Sequence, residues 1–297
     1  LQVKLVRNSA NTGYAGGNNL GFQHAKGDLI VILNPDLAVD RQWLVGLLDT
    51  YSGHENAGIV CSNVLLYDKR DTINACGNDI HVSGLVFSRF YMEKECRCAD
   101  EDRIVAAPTG ASMLFSREKL LRIGRKKPFD SDRFTMEYSD IDLAIDFLCH
   151  GLLCFVSPSS KVYHKYRFRM SSQRLYRLEI GRYQLLGHIS NATLSRMRRA
   201  LILTEFMIWY YIFTKRQDLI GAKIRAQFWK LGHATARQDN SLEKDLKILS
   251  AMTPDVSLYA ELDQDSSKTT RVNRTFHAVK ESTIEYLRKS IPSDLGK

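Results

Sequence analysis

Within its first seventy residues the chain alternates short apolar runs with helical patterns, and that alternation narrows the folds open to it. The runs Val3–Val6 and Leu29–Leu33 are apolar or β-branched and bounded by polar, glycine-rich turns, so both read as buried strands. Between them Asn18–Ala25 reads as a helix, with Gly27-Asp28 turning the chain back. Asp40 is placed to cap a second helix over Arg41–Tyr51, whose Trp43, Leu44, Leu47 and Leu48 share one face. Gly58–Tyr67 returns as a third strand. This is α/β order, and it predicts a mostly parallel sheet with crossover helices.

Downstream, Ala111–Phe115 and Leu152–Val156 read as strands, Arg117–Ile123 and Asp140–Leu148 as helices, and Ser157–Ser160 as a turn. Asn78–Arg89 and Arg103–Ala107 are less regular and read as small strands or loops. From Gln173 to Arg237 the pattern is helical. After Asn240 come two charged helical segments, Leu242–Met252 and Thr275–Lys289, joined by a polar linker near residues 263–270. The expected organisation is an α/β domain over 1–170, a basic aromatic helical region over 171–240, and a helical tail over 241–297.

The net charge of +9 is unevenly spread: Lys161 to Asn240 holds sixteen Lys or Arg against four acids. Such a stretch suits an anionic surface such as phospholipid, nucleic acid or a phosphorylated substrate, or else forms a solvated helical face. The segment lacks a recognisable nucleic-acid recognition module, which disfavours that partner. Its apolar run Ala200–Phe213 is too short to span a bilayer and contains Glu205. It could lie in a membrane interface with Arg198-Arg199 and Lys215-Arg216 on lipid phosphates, making residues 196–216 a peripheral contact, or pack as a buried helix. The six cysteines form no CxxC pair and read as reduced thiols of a cytoplasmic protein.

Four places could carry chemistry. Asp36 follows the strand Leu29–Leu33, and ligands of open α/β sheets sit beyond the carboxyl ends of strands. A carboxylate there suits Mg²⁺ or Mn²⁺ bridging substrate phosphates; an ordinary turn with Pro35 fixing φ is the competing reading. The loop Asn11–Asn19 offers glycines for close backbone approach, but it is neither a dinucleotide fingerprint nor a P-loop. The stretch Phe129–Phe147 holds six carboxylates: Asp130, Asp132, Glu137, Asp140, Asp142 and Asp146. Asp140 and Asp142 fall at a helix start, where a carboxylate serves as a cap or is held as a general base. His164, beyond the last strand, is either structural or a metal ligand.

The order of these parts carries more than any one of them. A Gly/Asn loop, strand–Asn34-Pro35-Asp36, Gly110-Ala111-Ser112-Met113-Leu114, Phe129-Asp130, Ser139-Asp140-Ile141-Asp142-Leu143, Gly151 and Pro158…His164 together resemble the family 2 glycosyltransferases. The likeness is greatest to the rhamnosyltransferase-like branch that builds lipid-linked and cell-surface glycans. It runs from Val3 to His164 and more loosely to Gly232.

The resemblance implies a GT-A fold, an inverting mechanism and a nucleotide-sugar donor carrying UDP or dTDP, with rhamnose or another hexose passed to a lipid-linked or polysaccharide acceptor. Asp36 would hold Mg²⁺ or Mn²⁺ on the donor diphosphate, with His164 as a late metal or diphosphate ligand and Asn34 near the ribose. Asn11, Gly13, Asn19 and Asp28 match the loop lining the nucleotide pocket, and Asp140 matches the base. The chain departs from the pattern at Ser139, where Glu is usual, and at Asp146, where a basic residue is common. The pattern also expects a first strand and helix ahead of Leu1. Ser139 leaves a second reading, a nucleotide-sugar-binding or scaffold protein without turnover.

Overall fold

The computed structural model describes residues 3–98, 101–134, 136–166, 169–233, 241–255 and 266–291. In chain order its first elements are α1 (Gly13–His24), β1 (Leu29–Leu33), β2 (Leu37–Val39), α2 (Trp43–Gly53), β3 (Ala57–Leu66), β4 (Ile73–Ala75), β5 (Asn78–Ile80) and β6 (Val86–Ser88). Then come β7 (Arg103–Val105), β8 (Ser112–Ser116), α3 (Arg117–Arg122), α4 (Ser139–Cys149) and β9 (Leu153–His164). The remainder is helical: α5 (Ser172–Leu186), α6 (Asn191–Arg196), α7 (Arg198–Lys215), α8 (Ile220–Gly232), α9 (Leu242–Ala251) and α10 (Ser266–Ser290).

The chain divides into two compact units, Leu1–Gly77 with Ser88–Tyr166, and Asn78–Phe87 with Arg167–Lys297. The helical region and tail, read as separate stretches in the sequence, fall in the same unit. Part of the expected linker at 263–270 continues into α10, while residues 256–265 lie outside the described ones.

The first unit is α/β, built on a sheet ordered β1-β8-β3-β9-β2, with β4 on β3 and β7 on β9. Its pairing is mixed rather than mostly parallel. Among the described residues of this sheet only β3 and β9 pair in parallel, and the other pairs run antiparallel. An apolar run identifies a buried strand but carries no direction, so the pattern could not register this. Val3–Val6 forms no strand; Val3 and Leu5 are exposed, and extended backbone without a pairing neighbour gains nothing over coil.

The turn expected at Ser157–Ser160 is instead a bulge within the continuous strand β9. The parallel register steps from Ser62↔Ser157 to Asn63↔Lys161, leaving Pro158, Ser159 and Ser160 outside the ladder. Helix α2 sits on this bulge: Ser157 Oγ donates to the Gly46 carbonyl at 2.9 Å, and a Cβ on Gly46 would meet Ser160 N at 2.6 Å. Beneath it, Leu47, Ala57, Val60, Leu114 and Phe155 form one core cluster. Val64, Ala75, Ala111 and Val162 form the next, towards the strand ends that carry Asp36 and His164.

Cys76 and Cys98 form a disulfide, which corrects the reading of all six cysteines as reduced thiols. The two lie 22 residues apart with no motif between them. Cys61 and Cys154 are buried free thiols and Cys96 is an exposed one.

In the second unit, Ser171, Ser190 and Ser241 cap α5, α6 and α9 through their hydroxyls, each accepting an N–H three residues on. The glutamate that interrupts the apolar run belongs to a buried network. Arg182 pairs with Glu179 (Nη2–Oε2 2.9 Å) and with Glu205; Lys223 pairs with Glu179 and with Glu205 (2.8 Å). Tyr183 donates to Glu179 at 3.1 Å and Gln227 to Glu205 at 3.0 Å. Helix α7 therefore meets neither of its two expected descriptions alone. Ala200, Thr204 and Ile212 are buried, while Ile202, Phe206, Tyr210 and Phe213 are exposed along the opposite side. No described helix is long and apolar enough to cross a membrane.

Candidate active site

Strand β1 ends in Asn34-Pro35-Asp36, and the chain turns directly into β2, whose Leu37 pairs with His164 of β9. That pairing brings two distant parts of the sequence together. His164 Nε2 lies 3.2 Å from Asp36 Oδ2, and His164 Nδ1 lies 2.8 Å from Asn74 Oδ1. The Asp36 carbonyl accepts the Lys165 N–H at 3.0 Å, tying the turn to the strand end. The histidine side chain is nearly buried, whereas that of Asp36 is half exposed.

One carboxylate oxygen and one imidazole nitrogen, convergent and open on one side, fit a divalent cation. Carboxylate suits Mg²⁺ or Mn²⁺, and imidazole favours transition metals. Among the described residues no group of three or more His, Cys, Asp and Glu could hold a metal, so substrate oxygens or water would fill the remaining positions.

The second cluster surrounds Asp140 in the first turn of α4. The preceding residue but one, Tyr138, takes a left-handed conformation with φ of 68°, which a bulky side chain rarely adopts, and it sets the entry into the helix. Asp140 Oδ2 accepts the Gly110 N–H at 2.8 Å and Oδ1 accepts the Ile141 N–H at 3.0 Å. Tyr14, near the start of α1, donates its hydroxyl to the Gly110 carbonyl at 2.7 Å. A Cβ on Gly110 would stand 2.7 Å from Tyr14 Oη and 2.8 Å from Asp140 Oδ2, so only glycine lets both groups close on this backbone. Asn34 joins the two clusters, its N–H donating to the Ala111 carbonyl at 2.8 Å.

Burial pushes the Asp140 carboxyl up to about 6, against the pull of the N–H bonds from Gly110 and Ile141; Glu137 adds to the rise. Burial also drives the Tyr14 hydroxyl well above its ordinary range, with the Asp140 charge adding to it, so Tyr14 keeps its proton. A carboxylate poised near neutrality with both oxygens oriented by backbone is suited to proton transfer.

The other acids of this stretch have structural partners. Asp142 is fully buried against Arg125, with Arg133 Nη1 at 3.7 Å. Asp146, a departure from the family pattern, takes a charge-assisted bond from Arg125 Nε at 2.7 Å, so its partner comes from a loop rather than from the helix. Ser139 is buried and caps back to the Met136 carbonyl at 3.4 Å.

The expected nucleotide-pocket residues separate. Asn11 accepts the Gly13 N–H at 2.9 Å, and Gly13 has a φ of 70°, so both shape the start of α1 beside Tyr14. Helix α1 thus begins at Gly13 rather than Asn18, taking in most of the predicted loop. Asn19 is buried, and its amide is engaged at both ends by the Phe129 backbone, at 2.9 and 3.0 Å. Asp28 is exposed at the opposite end of β1 from Asn34, about 20 Å away at the rise of a strand. Asn74 and Tyr14 are the residues that sequence reasoning missed, and Gly110 was read only as part of a motif, without a role. Nothing in the local pattern announces the first two, because Asn74 meets His164 90 positions on and Tyr14 meets Gly110 96 positions on.

Residues 1–123 match the family model described as Glycosyl transferase family 2. The chain is similar to polypeptide N-acetylgalactosaminyltransferase 11 of Xenopus tropicalis, at 29% identity over 178 residues, 57% of this chain and 28% of that protein. Among solved structures it is similar to GalNAc-T7 with UDP, GalNAc and Mn²⁺ (TM-score 0.49, 15% identity, 73% of this chain, 45% of the other). It is also similar to the mannosyltransferase PcManGT of Pyrobaculum calidifontis with GDP-Man and Mn²⁺ (TM-score 0.41, 15% identity, 95% of this chain, 69% of the other). The chain spans less than half the length of the two N-acetylgalactosaminyltransferases.

Proposed function

We propose that the first unit binds a nucleotide-diphospho-sugar through a divalent ion on Asp36 and His164 and transfers the sugar with Asp140 as base. The observation that carries this reading is the linkage of the two clusters through Asn34 and Ala111-Gly110. It brings the Asp36–His164 pair at the ends of β1 and β9 close to Gly110, ahead of β8, which orients the Asp140 carboxylate of raised pKa at the start of α4.

Mg²⁺ or Mn²⁺ at the Asp36–His164 pair would supply the counter-charge for the departing diphosphate. Asp140 takes the proton from an acceptor hydroxyl as that oxygen bonds to the anomeric carbon. The bond from that carbon to the diphosphate oxygen breaks at the same time, inverting the configuration. Gly110 and Ile141 hold the carboxylate in place throughout. Asn11, Gly13 and Asn34 are assigned to the nucleotide side. Asn19 and Asp28, engaged elsewhere or distant, are assigned to scaffold.

The donor carries UDP or dTDP, and the acceptor is a lipid-linked or polysaccharide hydroxyl. The N-acetylgalactosamine named for the frog relative adds UDP-GalNAc to a donor set that otherwise holds rhamnose and other hexoses. Exposed Ile202, Phe206, Tyr210 and Phe213, between the exposed Arg198-Arg199 and Lys215, support contact with an anionic membrane surface. The cytoplasmic setting rested on reduced thiols, and the Cys76–Cys98 bridge speaks against that basis.

Calorimetric titration of UDP and dTDP into the chain, with and without Mn²⁺ and repeated on Asp36→Ala, tests the donor site. Metal-dependent binding that disappears in Asp36→Ala is the expected result. Binding indifferent to both metal and substitution would remove the reading. Donor binding with no transfer to any acceptor would instead favour the binding-protein reading, to which the Ser139 departure points.

A further inference from the structure

His164 does not meet Asp36 unaided. Its other ring nitrogen is engaged by Asn74, a buried residue of the short strand β4, and β3 lies between the two strands concerned. The Asn74 oxygen is an acceptor only, so the contact at 2.8 Å places a proton on His164 Nδ1. In the neutral ring the Nε2 lone pair then faces Asp36 Oδ2 at 3.2 Å. Two electron pairs at that separation repel unless a proton or a metal cation stands between them.

We propose that Asn74 is a positioning residue for the metal pair. By holding Nδ1–H it fixes the tautomer and ring plane in which Nε2 is a ligand. A flipped amide would donate to Nδ1, put the proton on Nε2 and turn the same pair into an ordinary hydrogen bond to Asp36; the proton's place on the ring distinguishes the two arrangements. It rests on reading Asp36 and His164 as metal ligands. Its physical basis is general: the non-coordinating nitrogen of a ligating histidine is held by an oxygen acceptor, and removing that acceptor costs about 10- to 100-fold in metal affinity.

The test measures Mn²⁺ binding by electron paramagnetic resonance on the full chain with UDP present, comparing the wild type with His164→Ala, Asn74→Leu and Asn74→Asp. Asn74→Leu is expected to weaken Mn²⁺ binding about 10- to 100-fold. Asn74→Asp, which keeps an acceptor towards Nδ1, should stay within a few fold of wild type. Nitrogen-15 spectra of wild-type histidine with Mg²⁺ and UDP bound should show His164 protonated at Nδ1 and bare at Nε2. That reading needs no variant, so it decides the matter even if Asn74→Leu does not fold.

The inference is overturned if His164→Ala loses Mn²⁺ while Asn74→Leu keeps it, or if the proton sits on Nε2. It also falls, along with the metal reading beneath it, if His164→Ala and wild type bind Mn²⁺ alike. The His164→Ala result tells the two failures apart.

Discussion

Two of the charged groups in this molecule are built on opposite terms. In the helical unit Glu179, Arg182, Glu205 and Lys223 answer one another, two anions against two cations, with Tyr183 and Gln227 completing the bonds. In the sheet unit Asp140 is held by backbone N–H groups, and Asp36 is paired with His164 among the described residues. The electrostatics differ in sign. Burial pushes the Glu179 carboxyl up, but the adjacent Arg182 and Lys223 outweigh it and bring it down to about 2. Burial also pushes Asp140 up, and no cation answers, so it stays near 6. A cluster that neutralises itself serves the architecture; one left short of charge is available to a substrate.

The comparison can be broken most severely at Asp140. Replacing it with Asn should cut sugar transfer by about 10²- to 10⁴-fold while donor binding in the calorimeter survives. Normal transfer by Asp140→Asn would end its assignment as base. In the helical unit Lys223→Met leaves the buried Glu179 short of a partner, and a chemical denaturation midpoint should report about 3–5 kcal/mol of lost stability. If that midpoint barely moves, the network is not the closed structure described.

Gly110→Ala comes next. Its new methyl must displace Tyr14 Oη and Asp140 Oδ2, and a shift of order 1 Å at the base should cost about 10²-fold in transfer with little change in melting.

The two carboxylates should also show opposite responses to pH. Transfer should rise with pH through about 6 and level off above it, as Asp140 loses its proton. Because its folded-state value is raised, the stability it contributes is full below the unfolded value near 4 and is lost as pH rises through about 6. Asp140→Asn should therefore melt higher than wild type at pH 7. Glu179 is depressed, so its contribution is present above the unfolded value and drains away as pH falls towards 2. Melting curves of wild type, Asp140→Asn and Glu179→Gln across pH 2–8 check both signs.

The smallest effect is expected at Asn63. Both polar atoms of this fully buried side chain lack a hydrogen-bond partner among the described residues. Asn63→Val should raise stability by about 1 kcal/mol, read as a higher denaturant midpoint.

What could be read in the sequence was what local pattern controls. β1, β3 and α4 announce themselves through apolar runs and helical spacing, and Asp36 and Asp140 follow a strand end and open a helix as that reading has them, whereas His164, read as lying beyond the last strand, is the final residue of β9. Strand direction was invisible, since a run such as Leu29–Leu33 reads the same both ways. Ser157-Pro158-Ser159-Ser160 has the composition of a turn, and only the register against β3 reveals a bulge. Asn19 looked like a ligand because an amide beside glycines is equally apt to hold a backbone, and Phe129, which it holds, is 110 residues on. The Cys76–Cys98 bridge lacked a spacing signature for the same reason.

The hairpin segment Asn78–Phe87 leaves the sheet unit and joins the helical one, where Gly84 lies against Leu186 and Arg182, and His81 takes a T-shaped contact with Phe276. The helical unit is thus assembled from two lengths of chain that are not adjacent, with most of the sheet unit's second half threaded between them. During synthesis residues 78–87 emerge long before their partners and must wait for Arg182 and Phe276 to follow. For anyone dividing the protein, a cut after residue 166 does not isolate a domain: it strands Ile80, Val82 and Phe87, all buried in the intact fold, without the helices that cover them. The sheet unit that bears the site is therefore not a detachable module, and a working fragment would need the hairpin replaced by a short polar link from Gly77 to Ser88.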